Sequence, residues 1–316
     1  MKNRRSLFAL PYVVWMALFV VAPVILMVVY AFSTAAGEFT LENFSRMGDY
    51  WIVFLRSFEL AVVATLVCLL IGYPIAYLLA REGVRFQRIA MVLIMLPMWM
   101  NFLLRTYAWM SILENTGLLN RFFAAVGIID LGNLINGGLN SLCAALNSSV
   151  IQWLNDLLGT QWALNTARDT AMTYFQMINT SGAVVLGMVY NYLPFMILPI
   201  YSVIVKIDRS LLEAARDLGA DSVTAFRRVV LPLSLPGVLS GVTMVFVPSV
   251  STFAISRLLG GSNIMLLGNL IEMQFTGTTY DPWLGSAISL VMMVIVVVCM
   301  YVMNRFGEGE EQAVML

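Results

Sequence analysis

Charge-free apolar stretches recur along the chain at lengths that match a bilayer, and no other feature restricts its fold as strongly. A helix crosses the hydrocarbon core with about 20 predominantly apolar residues. Six blocks meet or approach that length: Leu7–Phe32, Leu60–Ala80, Ile89–Leu104 (extendable past Arg105 to Leu113), roughly Gly182–Val205, Val229–Ser256 and Pro282–Asn304. They lack the polar/apolar alternation of barrel strands, and in lipid only helices and closed barrels satisfy their own backbone. The blocks therefore predict an all-α integral membrane protein with six transmembrane helices. Composition agrees: 60% of the 316 residues are hydrophobic and 11% are charged, against about 25% charged in ordinary globular domains.

Several function classes lack the residues they need. The 18 basic and 18 acidic side chains cancel, so no basic excess invites nucleic acid. Histidine is absent and the three cysteines, Cys68, Cys143 and Cys299, are far apart, which leaves neither a metal set nor His-based acid/base chemistry. No catalytic residue and no metal ligand is expected.

The first block follows Lys2, Arg4 and Arg5, as a secretory signal would, but it is nearly twice the length of a signal h-region. It reads as a retained helix. Orientation follows from Lys and Arg, which concentrate in cytoplasmic loops. With both termini cytoplasmic, the inner segments hold 12 of the 18 basic residues, and the outer side holds six basic residues against ten acids. Such an outer face would attract a cationic solute or a basic docking surface; mild acidity from topology alone is the other reading. The chain divides into an N-terminal helix and outer loop (1–56), a transmembrane region (57–305) and a cytoplasmic tail (306–316). An outer insertion covers about 115–181. Its semi-apolar stretches Leu118–Ile129 and Val150–Leu158 would form short amphipathic helices on the membrane surface, or else the segment is a loop.

The segment Lys206–Pro232, between the fourth and fifth blocks, is the most informative. Ser210-Leu-Leu-Glu213 has the form of a capping box, predicting a helix from Leu211 through Leu218. Gly219 then suits a left-handed C-terminal position. Asp221 can cap a second helix, Ser222–Leu231, ended by Pro232 and Pro236. Helix, corner and helix together form an elbow over about 208–231, with Ala214, Ala215 and Gly219 leaving a low-profile surface ringed by Arg216, Asp217, Arg227 and Arg228.

Glu213-Ala214-Ala215, three residues, Gly219, nine residues, then Val229-x-Leu231-Pro232 resembles the EAA loop of ABC importer permeases. Further stretches resemble the spermidine/putrescine (polyamine) branch of that family, B-type. They are Gly72-Tyr-Pro-Ile-Ala-Tyr-Leu-Leu-Ala-Arg81, Arg105-Thr-Tyr-Ala-Trp109, Leu193-Pro-Phe-Met-Ile-Leu-Pro199, and Gly260-Gly261 through Leu267-Gly-Asn269. The resemblance covers about Leu7–Leu119 and Gly182–Asn304, and departs around Asp130–Thr180.

The resemblance implies the type I importer permease fold in a bacterial cytoplasmic (inner) membrane. It also implies four kinds of partner: a second homologous permease, a cytoplasmic ATPase dimer, an extracytoplasmic solute-binding protein and the lipid itself. The coupling residues would be Glu213, Ala214, Ala215, Gly219, Leu231 and Pro232. The chain has no Gly-x-x-x-x-Gly-Lys-Ser/Thr loop and only two lysines, so ATP and Mg belong on the partner ATPase and the chain binds no cofactor itself. An importer for another small organic solute or ion shares these motifs. An ion-coupled secondary transporter would instead carry acids near mid-membrane, where these spans are free of charge.

Charged and aromatic groups at the span ends admit two readings. Glu59, Glu272 and Asp281 could meet a cationic solute, with Tyr107, Trp109 and Trp283 offering cation–π faces and Arg105 beside them. Alternatively they form internal pairs, such as Arg105 with Glu59, within an interfacial aromatic belt. Pro97, Pro194, Pro199 and Pro248 would bend or break their helices.

Overall fold

A computed structural model describes residues 11–152, 173–277 and 280–314, and every regular element among them is helical. The basic residues Lys2, Arg4 and Arg5, most of Val150–Leu158, and Asp156, Arg168 and Asp169 lie outside the described residues. In chain order the helices are α1 (Pro11–Ala31), α2 (Glu42–Met47), α3 (Trp51–Arg81), α4 (Val84–Trp99), α5 (Phe102–Leu113), α6 (Leu118–Ala125) and α7 (Ile128–Leu146). They continue as α8 (Ser181–Ile204), α9 (Arg209–Asp217), α10 (Ser222–Ser251), α11 (Ala254–Leu259), α12 (Leu267–Thr276) and α13 (Pro282–Val314). Five of these, α1, α3, α8, α10 and α13, contain stretches long and apolar enough to cross a membrane.

The sixth expected span is not a straight helix. α4 and the segment Phe102–Ala125 meet at 89°. Pro97 sits in a 3-10 turn at Leu96–Trp99, Met100 is extended, and Asn101 starts α5 by accepting the Leu103 N–H at 2.8 Å. A proline that cannot donate, followed by an N-cap residue, ends one helix and begins another. The second span also differs from its charge-free block. α3 begins at Trp51, so residues 51–56, expected in the outer loop, are helical, and Arg56 and Glu59 ride on the helix. Charge interrupts a hydropathy count without interrupting backbone hydrogen bonding. The fifth block breaks at Thr252–Phe253, separating α11 from α10.

Most of the described insertion is helical, while residues 173–180 are irregular. Leu118–Ala125 and Ile128–Leu146 are joined at Gly127, and α7 presents Leu131, Leu134, Ile135 and Leu139 as an exposed apolar stripe. Its stem is closed by Asn120, 3% exposed, which donates to the Glu114 and Phe175 carbonyls at 3.2 and 3.0 Å and accepts from the Phe175 N–H at 2.9 Å.

The core forms where α3, α8 and α10 pack together. Met196 of α8 is fully buried between Gly72 of α3 and Gly241 of α10. A Cβ at Gly72 would lie 3.0 Å from Met196 Cγ, and one at Gly241 would lie 2.8 Å from its Sδ and 3.1 Å from its carbonyl oxygen. Glycine here lets three helices close on one side chain, and dispersion contacts accumulate at that density. α1, by contrast, buries none of its most apolar window within the chain. It lies along α13, where Tyr30 and Trp283 meet edge to face at 6.3 Å. Asn43 ends it, donating to the Ala31 and Ser33 carbonyls, both at 3.1 Å.

Candidate functional site: a coupling elbow and a far-end cavity

The elbow forms at the end of the bundle where α3 and α8 finish and α10 begins. Its start differs from the expected capping box. Asp208, not Ser210, is the N-cap: its carboxylate accepts the Ser210 N–H at 3.0 Å, and α9 begins at Arg209. Aspartate caps as well as serine does, and the earlier residue with an extended backbone takes the role. Gly219 has φ +82°, as its left-handed role requires. The Ala220 N–H bonds the Ala215 carbonyl at 3.0 Å and the Gly219 N–H bonds Arg216 at 2.8 Å, the paired bonds of a Schellman motif. Asp221 accepts the Thr224 N–H at 3.1 Å and restarts the helix. Hydrogen bonds from Ser210 and from Thr224 hold the Asp208 and Asp221 carboxyls below the usual aspartate value.

Pro232 does not end the second helix. A π-helical turn, Phe226–Val230, precedes it and runs directly into the span, so the elbow's second helix and the membrane helix form one 30-residue rod. The widened turn accommodates the proline ring, which would otherwise collide with a carbonyl four residues back. The same device precedes Pro23 in α1, after the π turn Ala17–Val21.

The rod is fastened to α3 by aromatic contacts. Phe226 meets Tyr77 edge to face at 5.0 Å and Tyr73 at 5.8 Å. The Tyr73 hydroxyl and Ser234 Oγ share a 2.8 Å hydrogen bond, and the Arg81 guanidinium lies 4.1 Å over the Tyr77 ring. Below them a cavity of about 550 Å³ is lined by Tyr77, Arg81, Gln87, Leu212, Glu213 and Arg216 among others. Tyr201 donates to Gln87 Oε1 at 3.0 Å, tying α8 to the same corner. Glu213, Ala214, Gly219, Leu231 and Pro232 are exposed and Ala215 is half-buried. Leu218, at the corner beside Gly219, is 89% exposed. Phe226, Ser234 and Asp208 were not singled out by pattern. An aromatic residue five positions after a capping Asp is the only trace the fastening leaves in the sequence.

At the far end the sequence-predicted path residues divide. Arg105 is 8% exposed and its Nε and Nη1 have no hydrogen-bond partner among the described residues. The expected pair with Glu59 does not form, because Glu59 is exposed on the outside of α3 whereas Arg105 points into the packing of α5. Asp281 accepts the Leu284 N–H at 3.1 Å as the cap of α13 and pairs with Arg46 at 2.7 Å. Glu272 pairs with Arg257 at 2.7 Å. Trp109 packs edge-on against Tyr190 at 5.4 Å, and Tyr107 is exposed. Glu272 and Asp281 thus share one end, Arg105 lies within the packing, and Glu59 faces away.

Helices long and apolar enough to cross a membrane, one of them continuous with the second helix of an exposed elbow, and no group of metal-ligating side chains among the described residues together fit a membrane permease. Residues 72–309 match the family described as binding-protein-dependent transport system inner membrane component. The chain belongs to that family and is a multi-pass inner-membrane permease. It is 33% identical over 289 residues, 89% of this chain and 90% of the relative, to the spermidine/putrescine transport system permease protein PotB of Escherichia coli strain K12. The PotB of Haemophilus influenzae is 32% identical over 302 residues, covering 93% of this chain and 91% of that protein. The fold is similar to a chain of a bacterial ABC transporter involved in the import of alginate, with a TM-score of 0.68 and 14% identity over 97% of this chain and 96% of that one.

Proposed function

We propose that this chain is the permease through which an ATP-driven importer brings polyamines such as spermidine and putrescine into the cell. The observation that carries the reading is the identity of 33% with polyamine permeases along nine-tenths of both chains, the elbow included. The elbow end faces the cytoplasm, as the distribution of Lys and Arg favours. There Glu213, Ala214, Ala215, Gly219, Leu231 and Pro232, with exposed Leu218, take up a cytoplasmic ATPase dimer that holds the ATP and Mg. A second homologous permease completes the membrane unit. A solute-binding protein delivers solute at the far end, and an alginate transporter of similar fold has been solved with a periplasmic protein bound.

The elbow converts nucleotide-driven movement into movement of a span because α9, the corner and α10 have no loose joint among them. ATPase closure pushes α9, and α10 tilts with it against α3 and α8, exchanging access between the two ends as a rigid-body switch. Uptake of radiolabelled spermidine and putrescine, in cells with and without the gene and lacking other polyamine systems, tests the reading. Loss of uptake on deletion supports it; unchanged uptake refutes the polyamine assignment.

A further inference from the structure

The ion pair Arg257–Glu272 borders a cavity of about 510 Å³ at the end of the bundle opposite the elbow. Its wall combines Ser262, Asn269 and Thr276 with Ile264, Met265 and Met273, so polar groups and a methylene-compatible surface face one space. Asn269 is buried at 8% exposure and its Oδ1 accepts the Ser256 hydroxyl, which fixes the floor between α11 and α12. The two charges are held unequally. Glu272 is 26% exposed, while Arg257 is 66% exposed and its Nη1 donates to the Glu272 carboxylate at 2.7 Å. The other nearby cation, Arg56, is engaged at the carbonyl of Asn263 at 3.4 Å.

We propose that this cavity is a solute ammonium site in which Glu272 is the acceptor and Arg257 is an internal occupant that a cationic amine displaces. An exposed ion pair contributes little, so Arg257 can swing to solvent at small cost, whereas a compact ammonium can reach Glu272 with its methylenes along Ile264, Met265 and Met273. The two charges sit on different helices: α11, which carries Arg257, is separated from α10 by the extended break at Thr252–Phe253 and packs on α5 and α8, and α12, which carries Glu272, is tied to α3, where the Leu267 N–H donates to Ser57 Oγ at 2.8 Å.

The site rests on the polyamine reading above, and the test separates the two. Spermidine uptake is measured in the assembled transporter, in cells, for wild type, Glu272→Gln, Arg257→Gln and the exchange Arg257→Glu with Glu272→Arg, each checked for membrane abundance. Glu272→Gln should raise the KM about tenfold with kcat nearly kept, and Arg257→Gln should lower it. The exchange should not restore uptake, because an ammonium has lost its acceptor. If both single variants impair uptake alike and the exchange restores it, the pair is a structural clamp and the site is refuted. An unchanged KM in Glu272→Gln overturns the site alone. No wild-type uptake overturns the polyamine reading, and the site with it.

Discussion

The ring of Phe226 stands edge-on against that of Tyr77, 5.0 Å between centroids and 74° between planes, and so joins the elbow to the span that precedes it by some 150 residues of sequence. This contact closes the lever. Without it α9 and the first turns of α10 could move while α3 stayed behind. Phe226→Ala removes both aromatic contacts, each worth about 0.5–1.5 kcal/mol beyond area burial. The expected result is a permease that inserts and still binds its ATPase, yet transports several-fold less solute per ATP hydrolysed. Uptake and ATPase activity measured together in vesicles check this, and Phe226→Tyr should retain most coupling. Equal transport per ATP in Phe226→Ala would show that the fastening lies elsewhere.

Gly219 provides a second test at the corner. A side chain at φ +82° costs about 1–2 kcal/mol, most for a β-branched residue. Gly219→Val should leave the chain in the membrane while abolishing co-purification with the ATPase, as should Glu213→Lys, which reverses charge on the exposed face of α9. Space is not the issue at Gly219, since nothing lies within 4 Å of a Cβ placed there. Gly219→Asn, which tolerates the left-handed region, should therefore keep most of the binding. Retention of the ATPase by both Gly219→Val and Glu213→Lys would mean that the elbow is not the socket.

The packing of Met196 predicts a different outcome, in stability rather than coupling. Gly241→Ala would set a Cβ 2.8 Å from Met196 Sδ and 3.1 Å from the Met196 carbonyl. Overpacking of this kind costs about 1–3 kcal/mol. The thioether can move but the carbonyl cannot, so adding Met196→Ala should rescue only part of the loss. Thermal unfolding of the detergent-solubilised permease measures both, and full rescue would place the strain in the side chain alone.

Much of this architecture was legible because bilayer-length apolar blocks and the elbow's capping residues are local signals. Five of six blocks correspond to helices, and Gly219 and Asp221 occupy the expected conformations. What pattern could not supply was non-local. Pro97 and Asn101 announce a break, but its 89° angle depends on what α5 packs against. Pro232 reads as a stop, and only the preceding π turn makes it part of a rod. Arg105 and Glu59 look like a pair at the span ends, yet one is buried within the packing of α5 and the other faces outward from α3. Family likeness in turn says nothing about Phe226, which acts through partners far away in sequence.

Arg105 itself yields a prediction that separates stability from transport. A buried guanidinium with two nitrogens that find no partner among the described residues carries an uncompensated desolvation cost. Replacement by an apolar side chain of similar length relieves it. Arg105→Met should therefore melt no lower than the wild-type chain in detergent. A drop in melting temperature would show that the guanidinium is satisfied within the folded protein.

The elbow should also respond to acid. Asp208 and Asp221 both hold their charged forms through hydrogen bonds from the helix starts they cap, so folding of the elbow depresses both carboxyls relative to the unfolded chain. A group depressed in the folded state adds stability above its unfolded value, and that stability is lost as pH falls through the folded value. Amide protection over residues 208–226, taken relative to intrinsic exchange at each pH, should thus be high and constant near neutrality. Below the ordinary aspartate value of 3.8 it should fall progressively. Asp221→Asn keeps a capping oxygen without a charge, and with Asp208→Asn it should flatten the pH dependence while preserving neutral-pH protection. Asp221→Ala should lose protection over the second helix at every pH. If the wild-type elbow keeps the same protection throughout the acid range, the caps do not control its order.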